Sequence, residues 1–265
     1  MSVPLAASNT RIKEARKLSR RSARAERRLF LADGPKAVQG ALSVPDCVVE
    51  VYATSLAAVE FADLLAGAPV TLVDERGMAG LSDSVSPAGV VALCRFVDAP
   101  ARQAITEESR LVAIAADVRD PGNAGTLIRT ADAAGADAVI LAGHSVDAYN
   151  PKTVRATVGS LFNLPVCVEP DAAAAVQLAR LRGLTVLAAD GDGEHDLFEI
   201  DEVLAGPTAW LFGNEAWGLP EEVAALADHR VRIPILGRAE SLNLSTAAAV
   251  CLYASTRAQR SAARR

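Results

Sequence analysis

From Arg110 onward, short apolar runs alternate regularly with longer segments that mix apolar and polar positions. Strands are predicted for the apolar runs, which are Leu111–Ala116, Ala138–Ala142, Leu164–Val168, Thr185–Ala189, Thr208–Phe212 and Arg230–Ile233. Helices are predicted near residues 123–134, 151–159, 171–182, 219–227 and 241–260. Because apolar strands separated by helices are buried on both faces, this pattern is typical of an α/β fold with a parallel sheet.

The first 97 residues follow a less regular pattern. A helix is predicted for residues 9–30, capped by Asn9 or Thr10, and a turn at Asp33-Gly34-Pro35 leads into a second short helix. Further strands are predicted at Cys47–Ala53, Val70–Asp74 and Gly89–Phe96, with helices near 55–66 and 75–81. The segment after them is polar and has no clear periodicity. We therefore predict a small N-terminal α/β domain at 1–98, a linker at 99–109 and a C-terminal domain at 110–265.

Composition restricts the class of protein. The chain is 51% hydrophobic but only 4% aromatic, and no segment approaches the roughly 20 continuous apolar residues of a membrane span. No apolar stretch follows the first basic residues, so we expect no signal peptide and a cytoplasmic location. The three histidines are isolated, and no metal site is predicted. The four cysteines lie far apart in apolar runs and are predicted to be buried thiols: Cys47, Cys94, Cys167 and Cys251.

Charge is distributed unevenly along the chain. Residues 1–36 contain ten Lys or Arg against three acidic residues, a local net charge of +7, whereas the whole chain carries −5 and the remainder therefore −12. A basic segment on an acidic body indicates contact with a polyanion. The alternative is a solvated helix face with internal ion pairs, which composition supports about equally. The small number of acidic partners favours nucleic acid.

Ligands of parallel sheets bind in the loops that follow the carboxyl ends of the strands. The loops after Ala116, Ala189, Phe212 and Ile233 are therefore the candidates. The first contains Asn123, Gly125 and Arg129 in the pattern N-x-G-x-x-x-R. It is neither a GxGxxG dinucleotide fingerprint nor the glycine-rich loop of ordinary Rossmann methyltransferases. By itself this loop favours a tight strand-to-helix turn with a solvated arginine.

Two later loops have equally distinctive patterns. The loop after Phe212 reads G-N-E-x-x-G-L from Gly213, with Glu215 between two glycines. The loop after the last strand reads I-P-x-x-x-x-x-E-S-L-N-x-S and ends in Ser241, Leu242 and Asn243. Taken singly, each loop is compatible with ordinary helix capping. The three patterns in this order resemble the signature motifs of the SpoU/TrmH family of SPOUT-superfamily RNA 2′-O-ribose methyltransferases.

The resemblance covers about residues 110–260, including a bridging segment at 150–166. More weakly, the N-terminal part resembles the small, ribosomal-protein-like substrate-binding domain of the family, with Asp33-Gly34 where relatives often have Glu-Gly. The resemblance implies a SPOUT-type parallel sheet with a deep trefoil knot, which periodicity alone does not indicate. It also implies S-adenosylmethionine as cofactor, no metal, and a homodimer formed through the C-terminal domain. The apolar helix face at Ala247–Ala254 is compatible with that self-interface and equally with core packing.

The resemblance also assigns site residues. The implied cofactor contacts are Leu187, Gly213, Ile233 and Leu242. The implied catalytic residues are Asn123, Arg129, Glu215 and Asn243, with Ser241 nearby. In the family the arginine is often described as the base that accepts the ribose 2′-hydroxyl proton. Because a guanidinium with a pKa above about 12 is a poor base, we favour the hypothesis that Arg129 binds an RNA phosphate and stabilises the developing alkoxide.

The implied substrate is RNA, with ribosomal RNA favoured over transfer RNA because the separate N-terminal domain resembles the ribosomal branch of the family. The predicted RNA contacts are Arg11, Lys13, Arg20, Arg21 and Arg155. The alternatives are a transfer-RNA 2′-O-methyltransferase and a non-catalytic RNA-binding relative of the same fold. An ordinary nucleotide-dependent metabolic enzyme is disfavoured, because the chain lacks a phosphate-loop or dinucleotide fingerprint.

Overall fold

The computed structural model describes residues 3–264. Its helices are α1 (Thr10–Arg16), α2 (Arg21–Arg27), α3 (Pro35–Ser43), α4 (Ser55–Glu60), α5 (Glu75–Leu81), α6 (Ala101–Ala104), α7 (Pro121–Ala134), α8 (Pro151–Thr157), α9 (Ala172–Leu181), α10 (Asp201–Leu204), α11 (Glu221–Ala224) and α12 (Leu244–Ala262). Its strands are β1 (Leu29–Asp33), β2 (Val48–Ala53), β3 (Val70–Leu72), β4 (Val90–Arg95), β5 (Leu111–Ala116), β6 (Ala138–Ala142), β7 (Val166–Glu169), β8 (Thr185–Ala189), β9 (His195–Asp196), β10 (Thr208–Phe212) and β11 (His229–Arg232).

The chain forms two compact units, and it crosses between them more than once. One unit comprises Met1–Val97 together with Asp147–Asn163, and the other comprises Asp98–Val146 together with Leu164–Arg265. The first crossing lies beside the predicted linker at 99–109. The return of the chain at residues 147–163, which contains α8, is a feature that the sequence pattern did not indicate. The limits of the two functional domains remain a prediction.

The N-terminal unit is built on a four-stranded sheet in the order β1-β4-β2-β3. The prediction of one continuous helix over residues 9–30 is wrong, because two helices and the start of strand β1 occupy this segment. A 3₁₀ turn at Lys17–Ser19 interrupts that helix, and it ends at Arg27, after which Arg28 adopts a left-handed conformation (φ 54°). The next five residues alternate between buried and half-buried positions and pair with β4 as an antiparallel strand. Period-two burial therefore determines the conformation of this short segment.

Arg24 in α2 is a buried arginine with a structural role inside the N-terminal unit. Only 2% of its side chain is exposed, and its Nε and Nη2 atoms donate to Asp147 Oδ2 at 3.0 and 2.6 Å. Its Nη1 atom donates to the main-chain oxygens of Leu18 (2.8 Å) and Ser19 (2.9 Å). Because a buried charge must be paired and hydrogen-bonded, this arginine holds residue 147 in the unit. It is one of the ten basic residues of the N-terminal segment, and its charge is not available to RNA.

The C-terminal unit contains a seven-stranded sheet in the order β7-β6-β5-β10-β8-β11-β9. Every neighbouring pair is parallel, which confirms the predicted parallel α/β architecture. The central strands β5, β6 and β10 are buried along their whole length, as their continuous apolar sequence requires. Strand β9 and helix α10 were not predicted, because two and four residues are too short for a periodic signal. The trefoil knot stays a prediction.

All four cysteines are free and buried, as predicted. Burial raises the pKa of the Cys167 thiol to about 12, with a smaller contribution from the charge of Asp98. Burial also raises the pKa of Cys251. Since the thiolate is the reactive form, these two side chains are inert components of the core.

Candidate active site

A cavity of about 530 Å³ opens at the carboxyl ends of β8, β10 and β11. Its walls come from the loops that follow these strands and from the first turn of α12. This is the edge at which parallel α/β sheets bind ligands. A volume of this size matches an organic ligand or cofactor rather than an ion.

Three of the four predicted cofactor contacts line this cavity. They are Gly213, Ile233 and Leu242. The fourth, Leu187, is fully buried in the middle of β8 and is not part of the lining. Ala189, two residues further along at the end of the strand, lines the cavity instead. Sequence alone did not indicate which position of β8 reaches the edge.

The lining combines apolar walls with negative charge. Phe212, Val231 and Ile233 contribute apolar surface, and the carboxylates of Asp190, Glu215 and Glu240 also line the cavity. Within residues 3–264, the side chains that line it include no Lys, Arg or His. Such a surface suits an apolar ring and a cationic group, and it opposes a phosphate.

Gly213 is required by the close approach of two main-chain segments. A Cβ atom at this position would lie 2.4 Å from the carbonyl carbon of Gly218 and 2.5 Å from the nitrogen of Leu219. The approach is fixed because Asn214 and Gly218 exchange main-chain hydrogen bonds of 2.8 and 3.0 Å. The Asn214 side chain also donates to the main-chain oxygen of Asp117 at 2.8 Å. The loop after β10 is thus closed into a turn and tied to the loop after β5.

A hydrogen-bond network connects three of the four predicted catalytic residues. The Asn123 side-chain amide donates to Glu215 Oε1 at 3.1 Å, and the Asn243 amide donates to Asn123 Oδ1 at 3.0 Å. Glu215 also accepts from the main-chain N–H groups of Arg119 (3.4 Å) and Asp120 (3.3 Å). The loops after β5, β10 and β11 are therefore held together by side chains of the three sequence motifs.

Helix capping places the two asparagines of this network. The carboxylate of Asp120 accepts from the main-chain N–H of Asn123 at 2.7 Å, and Pro121 occupies the first turn of α7. Asn243 caps α12 and accepts from the main-chain N–H of Ser245 at 3.0 Å and from its hydroxyl at 2.6 Å. Asp120 was missed by the sequence analysis, although an Asp-Pro pair before a helix is a recognisable cap signal.

Arg129 does not belong to the network. It lies in the third turn of α7 and its side chain is exposed. Within residues 3–264, its guanidinium makes no hydrogen bond or ion pair. All five donors of the guanidinium are thus directed to solvent.

The predicted RNA contacts of the N-terminal unit differ in their surroundings. Arg11 is paired with Glu50 and donates to Thr71 Oγ1 at 3.2 Å, and Arg155 lies 3.7 Å from Asp83. Lys13, Arg20 and Arg21 are exposed and form no ion pair within the described range 3–264. These three side chains are the ones with charge available to a polyanion.

A second depression, of about 500 Å³, lies in the N-terminal unit and was not predicted. It is lined by Arg27, Arg28, Arg95 and Phe96 among others. The guanidinium of Arg28 stands over the Phe96 ring at 4.6 Å from its centroid. Arg27 is hydrogen-bonded to Glu14 and Arg95 to the main-chain oxygen of Asp46. The run of arginines at the end of α2 was the available signal for this basic surface.

The part of the chain that the structure describes contains neither a cluster of metal ligands nor a membrane-spanning helix. No group of three or more His, Cys, Asp or Glu residues there is arranged to hold a metal ion. No helix of residues 3–264 is both long enough and apolar enough to cross a membrane.

Residues 110–253 match the SpoU rRNA Methylase family, and residues 9–92 match the MRM3-like substrate binding domain. The 23S rRNA (guanosine(2553)-2′-O)-methyltransferase RlmP of Bacillus subtilis is 32% identical over 93% of this chain and 96% of its own length. The AdoMet-bound rRNA methyltransferase from Sinorhizobium meliloti is a similar solved structure, with a TM-score of 0.84, 34% identity and coverage of 96% and 97%. The tRNA (guanosine(18)-2′-O)-methyltransferase of Thermus thermophilus is 38% identical over 56% of this chain and 74% of its own length.

Proposed function

The chain belongs to the SpoU rRNA Methylase family, and from that premise we propose that it methylates a ribose 2′-hydroxyl of ribosomal RNA with S-adenosylmethionine as donor. The observation that carries the proposal is the cavity itself, whose walls come from two of the three family motifs and whose neighbouring loops are joined by Asn123, Glu215 and Asn243. Ribosomal RNA is favoured because the ribosomal relative matches 93% of the chain, including its N-terminal part, whereas the transfer-RNA relative matches 56%.

The lining fits the proposed cofactor. Gly213, Ile233 and Leu242 would hold it, because their main-chain groups and apolar side chains form the walls of the cavity. When bound, S-adenosylmethionine supplies a methyl group activated by a sulfonium. Since the leaving group departs neutral, the protein needs to do little acid catalysis and gains mainly from positioning, which is worth roughly 7–11 kcal/mol in well-oriented systems.

We assign each motif residue a role in that positioning. Asn123, Glu215 and Asn243 hold the three loops in register through their hydrogen bonds. The exposed guanidinium of Arg129 grips an RNA phosphate and stabilises the 2′-oxygen as it loses its proton to water or to a phosphate oxygen.

The decisive test is to incubate the purified protein and labelled S-adenosylmethionine with unmodified ribosomal RNA and, separately, with unmodified transfer RNA. We expect label in ribosomal RNA, at one ribose that resists alkaline cleavage after methylation. Label in transfer RNA alone would support the alternative substrate. Cofactor binding without transfer to either RNA would support the non-catalytic alternative.

The negative lining predicts that the protein discriminates the cofactor from its demethylated product. S-adenosylmethionine carries one more positive charge than S-adenosylhomocysteine, and Asp190 presents a carboxylate to the cavity. Since an exposed ion pair is worth at most about 1 kcal/mol, Asp190→Asn should weaken binding of S-adenosylmethionine by up to about fivefold. Binding of S-adenosylhomocysteine should change less than about twofold. Calorimetric titration of both ligands measures the two dissociation constants.

Asp192→Asn is the matched control for this prediction. Asp192 lies in the same loop, is exposed and does not line the cavity, although its main-chain N–H donates to Asp190 Oδ1 at 3.0 Å. The control removes the same charge and should leave both dissociation constants unchanged. If Asp190→Asn weakens the binding of both ligands equally, this carboxylate stabilises the loop and does not interact with the sulfonium charge.

We further propose that the N-terminal unit delivers the RNA. Deleting it is a poor test, because residues 147–163 pack with it and would lose their partners. A better test reverses the three exposed charges with Lys13→Glu, Arg20→Glu and Arg21→Glu, which should lower RNA affinity about tenfold. Each lost phosphate contact on a single strand reduces the slope of log affinity against log salt concentration by roughly 0.7, so the slope should become shallower by about two units. Cofactor affinity should not change. Filter binding at several salt concentrations measures both quantities.

The control for the charge reversals is an exposed arginine of the same unit that lies outside α1 and α2. Arg76→Glu changes an exposed charge on α5 and should leave RNA affinity nearly unaltered. If the triple variant binds RNA like the wild type, α1 and α2 do not contribute to RNA binding.

We propose finally that the protein is a cytoplasmic homodimer joined through its C-terminal unit. One face of helix α12 is buried within the C-terminal unit through Ala248, Cys251 and Leu252. Another face carries Tyr253, which is 49% exposed, and the half-buried Ala249 and Val250. A continuous surface of this kind suits contact with a second copy. Light scattering should give twice the chain mass of 27.6 kDa. A monomer at micromolar concentration would contradict the proposal.

A further inference from the structure

The two tryptophans of this chain have opposite environments. Trp210 is fully buried in β10 and its indole N–H donates to Ser255 Oγ at 2.9 Å. Trp217 is 61% exposed, and within residues 3–264 its indole N–H has no hydrogen-bond acceptor. Large aromatic side chains usually bury most of their surface. An exposed tryptophan in a motif loop therefore calls for a partner outside the chain.

Trp217 stands at the edge of the cofactor cavity. It occupies the turn that Asn214 and Gly218 close with reciprocal main-chain hydrogen bonds of 2.8 and 3.0 Å. Its neighbours Ala216 and Gly218 line the cavity, whereas Trp217 itself does not. Trp217 therefore lies between two lining residues, in a turn that main-chain hydrogen bonds close.

The chemistry of this edge matches single-stranded RNA. Arg119 is exposed in the adjoining loop, and its main-chain N–H lies 3.4 Å from Glu215 Oε2, so that the two loops are in direct contact. An exposed indole and an exposed arginine in adjoining loops offer a base its stacking platform and the RNA backbone its counter-charge.

We propose that the indole of Trp217 stacks on an unpaired base of the substrate RNA at the target site and thereby positions the ribose at the cavity. This inference rests on the proposed function, since it names the part of the RNA that the same site reads. Trp217 is a positioning residue, because it holds the base while the chemistry takes place at the ribose. Stacking tolerates different bases, so the role is one of holding rather than of sequence readout.

The inference is tested first by fluorescence, with Trp210 as a buried internal reference. The probes are a twelve-nucleotide oligoadenylate and an abasic oligomer of the same length, which keeps the charges but has no bases. We expect the oligoadenylate to quench the exposed tryptophan of the wild type, and the abasic oligomer to leave it unchanged. Equal quenching by both oligomers, or by neither, would overturn the stacking role.

The second test is kinetic and uses Trp217→Leu and Trp217→Phe with unmodified ribosomal RNA. Because stacking on an aromatic side chain is worth about thirtyfold in affinity at the middle of its range, Trp217→Leu should raise the KM for RNA about thirtyfold with a smaller change in kcat. Trp217→Phe keeps a ring and should restore most of the loss. The dissociation constant of S-adenosylmethionine and the midpoint of thermal unfolding should be unchanged in both variants.

The remaining outcomes are also decisive. If leucine and phenylalanine variants lose activity equally, or if leucine leaves the KM unchanged, Trp217 does not stack on RNA. If Trp217→Leu converts a dimer into a monomer in light scattering, the indole serves self-association and the inference is wrong. If the wild type quenches with oligoadenylate but methylates no RNA, the proposed function fails while the stacking contact stands.

Discussion

Replacing Gly213 with alanine is expected to weaken the binding of S-adenosylmethionine strongly. A Cβ atom at this position would overlap the main chain of Gly218 and Leu219 at 2.4 to 2.5 Å. Because these are main-chain atoms, they cannot rotate away as a flexible side chain can, and the hydrogen-bonded turn at 214–218 must open. Overpacking of this kind costs roughly 1–3 kcal/mol or more, and that cost falls on the wall of the cavity. The expected loss is about 5- to 150-fold in cofactor affinity, measured by calorimetric titration.

Gly191→Ala is the matched control for this substitution. Gly191 also lines the cavity, but a Cβ atom there meets nothing within 4 Å. The control should keep the dissociation constant within about threefold, since small uncrowded substitutions rarely cost more. Normal cofactor binding by Gly213→Ala would show that the turn relaxes without disturbing the site, and that the close approach of Gly213 and Gly218 is dispensable.

The sequence was sufficient for most strands because their burial is continuous. Every strand predicted from an apolar run is present, and its ends agree to within two residues. Strand β1 was lost inside a predicted helix because the basic run before it has good helix propensity, which only the antiparallel pairing with β4 overrides. The assignment of residues 147–163 to the N-terminal unit depends on long-range contacts such as Arg24 with Asp147. No local pattern encodes a contact of that separation.

The residues of the three motifs were apparent from sequence, but the hydrogen bonds that connect them were not. The motif patterns indicated Asn123, Glu215 and Asn243 as site residues. Only the three-dimensional structure shows that hydrogen bonds join them into one network. Leu187 was predicted as a cofactor contact but does not line the cavity, because a continuous apolar strand does not indicate which of its residues reaches the edge. The exposure of Trp217 and the position of Asp190 in the cavity wall were not predicted, because both are properties of the folded chain.

Arg129→Ala is expected to reduce the rate of methyl transfer by about 10²- to 10³-fold, the usual effect of removing a group that stabilises a developing oxyanion. The side chain is exposed and makes no hydrogen bond within residues 3–264, so its removal should leave the folded chain intact. We therefore expect an unchanged midpoint of thermal unfolding and an unchanged dissociation constant for S-adenosylmethionine. Single-turnover assays with unmodified ribosomal RNA measure the rate. Arg260→Ala, which removes an exposed charge near the end of α12, is the control and should be fully active.

Arg129→Lys then distinguishes a clamp from a base. Lysine keeps the positive charge but loses the planar fork that binds a phosphate through two hydrogen bonds, and it gives up a proton more readily when desolvated. If Arg129 positions a phosphate, the lysine variant should lose most of its turnover, by about tenfold or more at every pH. If Arg129 accepts the 2′-hydroxyl proton, lysine should retain the turnover, which would rise with pH as the ammonium deprotonates. The pH profile of single-turnover rates therefore decides between the two roles, because a guanidinium with a pKa above about 12 stays charged throughout the accessible range.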